Sequence, residues 1–420
     1  MITTLLSARR FLPLFVTQFL GALNDNLFKN AMVLLLLWRA GSAGPALVAA
    51  AGGVFILPYA LFSSLAGELA DRSVMARLIH VVKLFEIGLM LLGTIGFLTA
   101  DPWVLMAVLF GMGVHSTFFG PVKYAILPLQ LHAHELVTGN GLIEAGTFLA
   151  ILIGTILGGG LVLLQGGVWI VSTAAILVAA LGYAASRAIP HTAPAAPGLP
   201  LDWNIWRGTG HILKLTRANP TVWRTILAIS WFWTVGATVL SQFPVLAKDV
   251  LGASSAVVTL LLATFSIGIG AGSMLEARLL HGEVSLRHVP AAGVGISIFT
   301  LDFVLASGAG AFPDPAALLA APAGWRILAD LFALAVCGGI FSVPLYTLMQ
   351  ERSDPAIRSR VIAANNVMNA LFMVAGAIAA TLLAPYGAPA ILMITAVANL
   401  AAALLLRFKP HTINAPGNSG

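Results

Sequence analysis

The chain has 420 residues, of which 59% are hydrophobic and 9% are charged, with Lys and Arg outnumbering Asp and Glu by 22 to 16. Its mean hydropathy of +0.95 leaves too little polar surface to cover a water-soluble globule of this size. The composition therefore excludes a soluble protein and indicates one whose main solvent is lipid.

Twelve apolar runs are long enough to cross a bilayer, which takes about 20 residues of helix. They predict an all-α membrane protein with transmembrane helices near residues 11–38, 45–66, 76–99, 102–127, 136–164, 167–189, 222–247, 254–280, 287–309, 324–350, 358–385 and 388–407.

The first run carries polar residues at its centre, between Gln18 and Asn30. An ionised side chain in the middle of a bilayer costs roughly 3 kcal/mol or more, so such residues usually face a bundle interior or a wet cavity. We therefore predict that Asp25, Asn26 and Lys29 bind a substrate. The alternative is that Asp25 and Lys29, four residues apart on one helical face, neutralise one another.

After the second run, the sequence Gly67-Glu-Leu-Ala-Asp71-Arg72 forms a predicted loop and is followed by Arg77. It resembles the loop signature of the major facilitator superfamily, Gly-x-x-x-Asp-Arg followed by a base. On this resemblance, Asp71, Arg72 and Arg77 are expected to gate the inner end of the helix bundle. The alternative is an ordinary anchor at the inner membrane face.

The third and fourth runs contain further ionisable residues. Lys83 and Glu86 are three residues apart, and we interpret them as an internal ion pair. His115 is interpreted as a satisfied interior histidine, with a role as a proton carrier as the alternative.

The two halves of the chain contain an internal repeat. Pro121 and Asn140 are 19 residues apart, Pro344 and Asn365 are 21 apart, and another polar residue follows four positions after each Asn. This spacing predicts a duplication in which two six-helix bundles run in the same direction and enclose a central cavity. Polar residues of these segments are predicted to bind the substrate: Lys123, Asn140, Glu144, Asn365 and Asn369.

Several of these residues have structural alternatives. Lys123 can be an anchor that extends to the inner interface, and Asn140 and Glu144 can tie the fifth helix to its neighbours. Near the end of the tenth run, Glu351 and Arg352 are predicted to form, with Arg358 and Arg360, a charge network that locks one conformation.

A proline-rich segment from Pro190 to Pro200 separates the halves and cannot be helical. The stretch after it contains Trp203, Trp206 and several bases, which suits a helix lying on the inner membrane face. We predict an N-terminal bundle over residues 1–189, a cytoplasmic linker over 190–221, a C-terminal bundle over 222–410 and a disordered tail over 411–420.

Basic residues predict the orientation, because they concentrate in cytoplasmic segments. With both termini cytoplasmic, sixteen Lys and Arg residues fall inside, and three fall outside, namely Arg39, Lys248 and Arg326. The sequence pI of 9.8 then reflects membrane topology and anionic lipid, and no nucleic-acid partner is expected.

Motifs for an enzyme are missing from the sequence. No His is followed five residues later by Asp, no Gly-x-x-x-x-Gly-Lys phosphate loop occurs, and Cys337 is the single cysteine. We expect no catalytic residue, no cofactor and no metal.

Four segments in the two halves form a further pattern: Gln18-Phe-Leu-Gly-Ala-Leu-Asn-Asp-Asn, Pro121-Val-Lys-Tyr-Ala-Ile-Leu-Pro128, Gly139-Asn-Gly-Leu-Ile-Glu-Ala145, and Pro344-Leu with Gln350-Glu-Arg352. In these segments the chain resembles, within the superfamily, the lysophospholipid transporters, including those fused to acyltransferase and acyl-carrier-protein synthetase domains.

The resemblance implies a major facilitator fold and a flippase for lysophospholipids, chiefly lysophosphatidylethanolamine, in a bacterial inner membrane. It places the family's polar groups on Asp25, Asn26, Lys123 and Glu351. The seventh run lacks the basic residue of the family member compared, and Gln242 is the neutral substitute. The expected partners are the lysophospholipid, membrane lipids and a cytosolic acyltransferase or acyl-carrier-protein synthetase, with the transporter itself a monomer.

Two alternative functions remain open. One is a proton-coupled exporter or importer of small amphiphilic solutes, with Asp25, Glu144 or His115 as the proton carrier. The other is a non-transporting membrane partner that recruits a lipid-acylating enzyme through residues 201–219.

Overall fold

The computed structural model describes residues 2–39 and 44–405, so the tail predicted over 411–420 lies outside the described residues. Within them all regular secondary structure is helical. Four helices are short: α1 (Ile2–Ser7), α6 (Leu127–Gln130), α9 (Ile205–Arg217) and α13 (Pro315–Ala320). The long helices are α2 (Leu12–Arg39), α3 (Gly44–Arg72), α4 (Met75–Thr99), α5 (Pro102–Ala125), α7 (Leu136–Leu161), α8 (Gly167–Ser186), α10 (Pro220–Asp249), α11 (Ser255–Leu279), α12 (Val289–Ser307), α14 (Pro322–Arg352), α15 (Arg358–Leu383) and α16 (Gly387–Leu405).

Each long helix corresponds to one of the predicted apolar runs, and the all-α membrane fold is confirmed. Ten stretches of the described chain are long and apolar enough to cross a membrane, the last of which, Pro355–Leu405, contains both α15 and α16. Helix α2 is outside this set because of the polar residues at its centre. The predicted domain boundaries remain predictions, with α8 ending at Ser186 and α10 beginning at Pro220.

Two helices are longer than the sequence pattern indicates. Helix α3 continues through the segment from Gly67 to Arg72, which was predicted to be a loop. The segment is helical because Gly67 packs against α15, where an added Cβ would lie 2.9 Å from the Arg360 Cα. Helix α14 likewise extends to Arg352, so Glu351 lies on its last turn.

Local sequence explains where one long helix in each half begins. Asp101 precedes Pro102 at the start of α5 and accepts hydrogen bonds from the amides of residues 103 and 104, at 2.8 and 3.2 Å. Asn219 precedes Pro220 at the start of α10 and accepts from residues 221 and 222, both at 3.2 Å. A polar N-cap followed by proline is a strong signal for a helix start.

Helices before the linker pack mainly on one another, as α2 does on α7 and α8, and as α3 and α4 do on α5. The same holds after the linker for α14 with α11 and α12, whereas α15 packs both on α10 of its own half and on α3 of the first half. Small residues permit the closest approach: an added Cβ at Gly154 of α7 would lie 3.0 Å from the Asn26 Cβ of α2. This agrees with the packing role that small residues have in membrane helices.

The halves meet through α3 with α15 and through α7 with α11 and α14. At the second of these contacts, a Cβ at Gly141 would lie 2.9 Å from the Ser273 carbonyl oxygen and from the Met274 Cε. Val137, Ala277 and Leu280 form a small buried cluster beside it. We call the end of the bundle that carries Asp71 and Val137 the closed end, because both contacts seal it.

Candidate functional site

The closed end is held by one ion pair between the halves. Arg360 Nε donates to Asp71 Oδ2 at 2.9 Å, and the Ser359 amide donates to Asp71 Oδ1 at 3.0 Å. Asp71 is fully buried, so its charge depends on these α15 donors. The sequence pattern indicated a charge network that includes Arg360, but it did not pair Arg360 with Asp71.

The other predicted gating residues make no such contact. Arg72 and Arg77 are exposed, as are Glu351 and Arg352. None of these four side chains forms an ion pair with any described residue. Their gating role therefore remains a prediction, and the observed link runs through Asp71 alone.

Above the closed end, the two copies of the internal repeat meet face to face. Tyr124 and Tyr346, which follow the repeated prolines, stack with ring centroids 4.6 Å apart and planes 9° apart. Trp233 of α10 donates from Nε1 to the Tyr346 hydroxyl at 2.7 Å, and Phe148 of α7 stacks on Trp233. These four rings form an aromatic layer between the halves.

Amides of the repeat mostly join helices. Asn140 Nδ2 donates to Gln350 Oε1 at 2.7 Å, and Gln350 Nε2 donates back to Asn140 Oδ1 at 3.0 Å. Asn365 is buried beside the Tyr346 hydroxyl. Asn369 accepts a hydrogen bond from Ser230 Oγ at 2.8 Å, which links α15 to α10.

Lys123 and Glu144 lie beside the aromatic layer. The Lys123 Nζ is 4.6 Å from the centroid of the Tyr124 ring and lies near both the Glu144 and Asp25 carboxylates. Glu144 is buried next to Tyr124 and Ser342, and Ser342 belongs to the opposite half. Lys123 itself is only half-buried. Lys123 therefore lies in the same region as two carboxylates, at the junction of the halves, and forms an ion pair with neither of them.

Asp25 reaches the same region from α2. Its Oδ2 accepts from Ser116 Oγ of α5 at 2.8 Å, and the Tyr59 hydroxyl of α3 lies beside Ser116. Lys29 is near Asp25, but no ion pair joins them in the described part of α2. Asn26 donates to the Ala22 carbonyl at 2.8 Å. Asp25, Asn26 and Lys29 are all half-buried, although they lie at the middle of a membrane helix.

Behind Asp25 lies a buried charge cluster. Lys83 and Glu86 form the predicted ion pair, and both are fully buried. The His115 Nε2 is 3.2 Å from Glu86 Oε2, and Asn24 Nδ2 donates to Glu86 Oε1 at 2.8 Å. The His115 Nδ1 is 3.5 Å from Ser116 Oγ, so a polar chain connects this cluster to Asp25.

Together these residues provide separate positive and negative positions within a largely apolar bundle. Half-buried charges keep contact with an accessible space, whereas an unpaired charge facing hydrocarbon would be unstable. An acid and a base a short distance apart can bind a zwitterion, and charge-assisted hydrogen bonds of this kind are strong. No group of three or more His, Cys, Asp or Glu side chains suited to a metal occurs in residues 2–39 and 44–405.

Known proteins with similar sequences and structures are membrane transporters. The family model described as Major Facilitator Superfamily matches residues 14–321. The lysophospholipid transporter LplT of Salmonella heidelberg (strain SL476) is 30% identical over 367 residues, which cover 83% of this chain and 82% of that protein. LplT of Salmonella typhimurium (strain LT2) matches with the same identity and coverage.

Two solved structures show the same fold. The human organic anion transporter MFSD10 superposes with a TM-score of 0.78 at 16% identity, covering 95% of this chain and 99% of that one. A bacterial homologue of the iron transporter ferroportin, in its outward-facing state, gives a TM-score of 0.69 at 14% identity, covering 93% and 97%.

Proposed function

The chain belongs to the major facilitator superfamily of membrane transporters, and we propose that it moves lysophospholipids from one leaflet of the membrane to the other. The observation that carries this proposal is the proximity of Lys123 to the carboxylates of Asp25 and Glu144 at the junction of the halves. The similarity to LplT over most of the chain supports the same cargo.

A lysophospholipid has an anionic phosphate, often an ammonium group, and a single acyl chain. In this proposal Lys123 binds the phosphate, with Lys29 as a second base on α2. Asp25 binds the ammonium group, and Asn26 donates to oxygens of the glycerol. Each of these three α2 side chains is half-buried, so each is accessible to a ligand.

The acyl chain needs an apolar surface next to the charged groups. The layer of Tyr124, Tyr346, Trp233 and Phe148 lies beside Lys123. Its rings are mostly buried in the described conformation, and we propose that they provide this surface when the halves separate. A diacyl lipid has twice the apolar volume at the same headgroup. We therefore propose that the site selects monoacyl lipids by size and the headgroup by charge.

Amides that now join helices have a later role in this scheme. Asn140 already donates hydrogen bonds to Gln350 and Thr347, and Asn369 accepts one from Ser230. We propose that these amides, together with Asn365 and Glu144, become available when the halves rotate apart at the closed end. The Asp71 to Arg360 ion pair must break in the same movement.

Orientation and cellular context belong to the proposal as well. The excess of bases predicts that the closed end and both termini face the cytoplasm of a bacterium, with the protein in the inner membrane. The described conformation is then outward-facing. In this setting the monomer delivers its lipid to a cytosolic acyltransferase or acyl-carrier-protein synthetase for reacylation.

The test is transport by the purified protein in sealed vesicles. Labelled lysophosphatidylethanolamine should cross the bilayer faster than in protein-free vesicles, and the matching diacyl lipid should not. Equal rates for both lipids would instead indicate a scramblase without selectivity. A rate no higher than that of empty vesicles would overturn the proposal.

A further inference from the structure

Helix α9 of the linker lies across the seam between the two halves. Gly208 faces α3, where an added Cβ would be 3.0 Å from the Ser64 Oγ. On the same buried side, Ile212 packs against Ala363 and Ala364 of α15. One face of this short helix therefore contacts both halves of the transporter.

Hydrogen bonds hold the flanks of α9 to different halves. The Asp202 amide donates to Glu68 Oε2 of α3 at 2.8 Å. After the helix, Asn219 Nδ2 donates to the Arg352 carbonyl at the end of α14, at 3.2 Å. Glu68 lies one turn before Asp71, so α9 is attached close to the ion pair that holds the closed end.

The opposite face of α9 is exposed and combines tryptophans with bases. Trp203 and Trp206 are 75% and 79% exposed, which is unusual for such large apolar side chains. Further along the same face lie His211, Lys214 and Arg217, all exposed.

The charge on this face is positive. Arg207 donates two hydrogen bonds to Asp202, at 2.6 and 2.8 Å, and this lowers the pKa of the Asp202 carboxyl to about 2. Asp202 is thus ionised at neutral pH and neutralises Arg207. Lys214 and Arg217 form no ion pair with any described residue, and the Arg217 guanidinium lies 4.7 Å from the centroid of the Trp223 ring.

We propose that the exposed face of α9 binds anionic phospholipid headgroups of the surrounding membrane. Tryptophan is enriched where a protein crosses the headgroup region, and unpaired bases there are attracted to negatively charged lipid. Helix α9 and the segment before it contact α3 at Ser64 and Glu68, in the last turns before this helix ends at Arg72. The end of a membrane-spanning helix is where headgroups are expected. Because the buried face of α9 is fixed to both halves, anionic lipid bound to the exposed face also stabilises the closed end.

The experiment measures the surroundings of α9 by fluorescence and does not depend on which solute is transported. The full chain carries Cys337→Ser and Gly210→Cys, with an environment-sensitive fluorophore on the new cysteine. Gly210 is exposed between Trp206 and Lys214, and an added Cβ there has no heavy atom within 4 Å. In phosphatidylcholine nanodiscs, a rising share of phosphatidylglycerol should move the emission to shorter wavelength.

Removing the two unpaired bases should weaken this response. In Lys214→Gln/Arg217→Gln the apparent affinity for phosphatidylglycerol should fall by about fivefold for each base removed, so the shift should need a higher phosphatidylglycerol share. The control variant Arg187→Gln/Arg278→Gln removes the same charge from two exposed bases, one directly after α8 and one on α11. Its emission should respond to phosphatidylglycerol as that of the labelled chain without these two substitutions does. Emission that does not change with the phosphatidylglycerol share, or an equal loss of the response in both double variants, would overturn the proposal. A shift that requires an added soluble protein would assign the face to a protein partner instead.

Discussion

The charged side chains at the junction of the halves depend on neighbours from other helices. Asp25 of α2 and Lys123 of α5 lie near each other there. Ser116 and Tyr59 are ordinary residues of apolar runs, and only the fold brings them to Asp25. The aromatic layer was partly visible in the sequence, since Tyr124 and Tyr346 occupy similar places after the repeated prolines.

Because Asp25 and Lys123 are assigned to different groups of the lipid headgroup, they should affect selectivity differently. Asp25→Asn should raise the apparent KM for lysophosphatidylethanolamine by tenfold or more, because a hydrogen bond to a charged group contributes about 1.5–3 kcal/mol. The KM for lysophosphatidylglycerol, which has no ammonium group, should change little. Vesicle uptake with each lipid measures both values. Asp249→Asn, an exposed acid at the end of α10, is the control. Equal losses for the two lipids would exclude an ammonium contact for Asp25.

The buried pair of Lys83 and Glu86 should be needed for stability. Lys83→Met leaves the buried Glu86 carboxylate without its cation and should cost about 3–5 kcal/mol. Lys83→Met/Glu86→Leu removes both charges and should recover part of that loss. The measurement is the Tm of the purified protein in detergent. A double variant less stable than the single one would show that the carboxylate is satisfied by His115 and Asn24 alone.

At the scale of helices, the apolar runs located every long helix, because length and hydropathy are properties of the local sequence. Helix ends were less accurate where another helix stabilises them. Helix α3 keeps its last turns because Gly67 packs on α15, and no local signal reports that contact.

The contact of α7 with α2 can be tested at single glycines. Gly154→Leu places a side chain against α2 next to Asn26 and should lower the stability by about 1–3 kcal/mol through overpacking. Gly160→Leu makes the same change on the same helix at an exposed position with no heavy atom within 4 Å of the new Cβ. It should be tolerated. Thermal unfolding of the two variants distinguishes them, and equal Tm values would contradict the packing role.

At the scale of the whole molecule, the internal repeat predicted two bundles facing each other with similar residues at their junction. It did not predict which pairs form. Asp71 and Arg360 are 289 residues apart in the chain. The two halves also differ in these contacts. Asp71, near the end of α3, pairs with the other half, whereas Glu276, near the end of α11, contacts His288 of its own half at 3.0 Å. Contacts of this range follow from the conformation and not from the local sequence.

The Asp71 to Arg360 ion pair should control opening of the closed end. Asp71→Asn should leave Arg360 without its counter-ion and shift the protein towards opening there. In a Cys337→Ser background, Ala364→Cys, buried in the described conformation, should then react faster with a water-soluble maleimide. Asp354→Asn, an exposed acid in the loop before α15, should leave the rate unchanged. An unchanged rate in Asp71→Asn would mean that the apolar contacts alone keep this end closed.

Binding of lysophosphatidylethanolamine to the purified protein, measured by titration calorimetry, tests most directly whether charged side chains at the junction recognise the lipid headgroup. The wild-type chain should bind, and Asp25→Asn/Lys123→Gln should lose at least 100-fold in affinity, since two charge-assisted contacts contribute about 3 kcal/mol or more together. Equal affinities for the wild-type chain and the double variant would contradict recognition at this site.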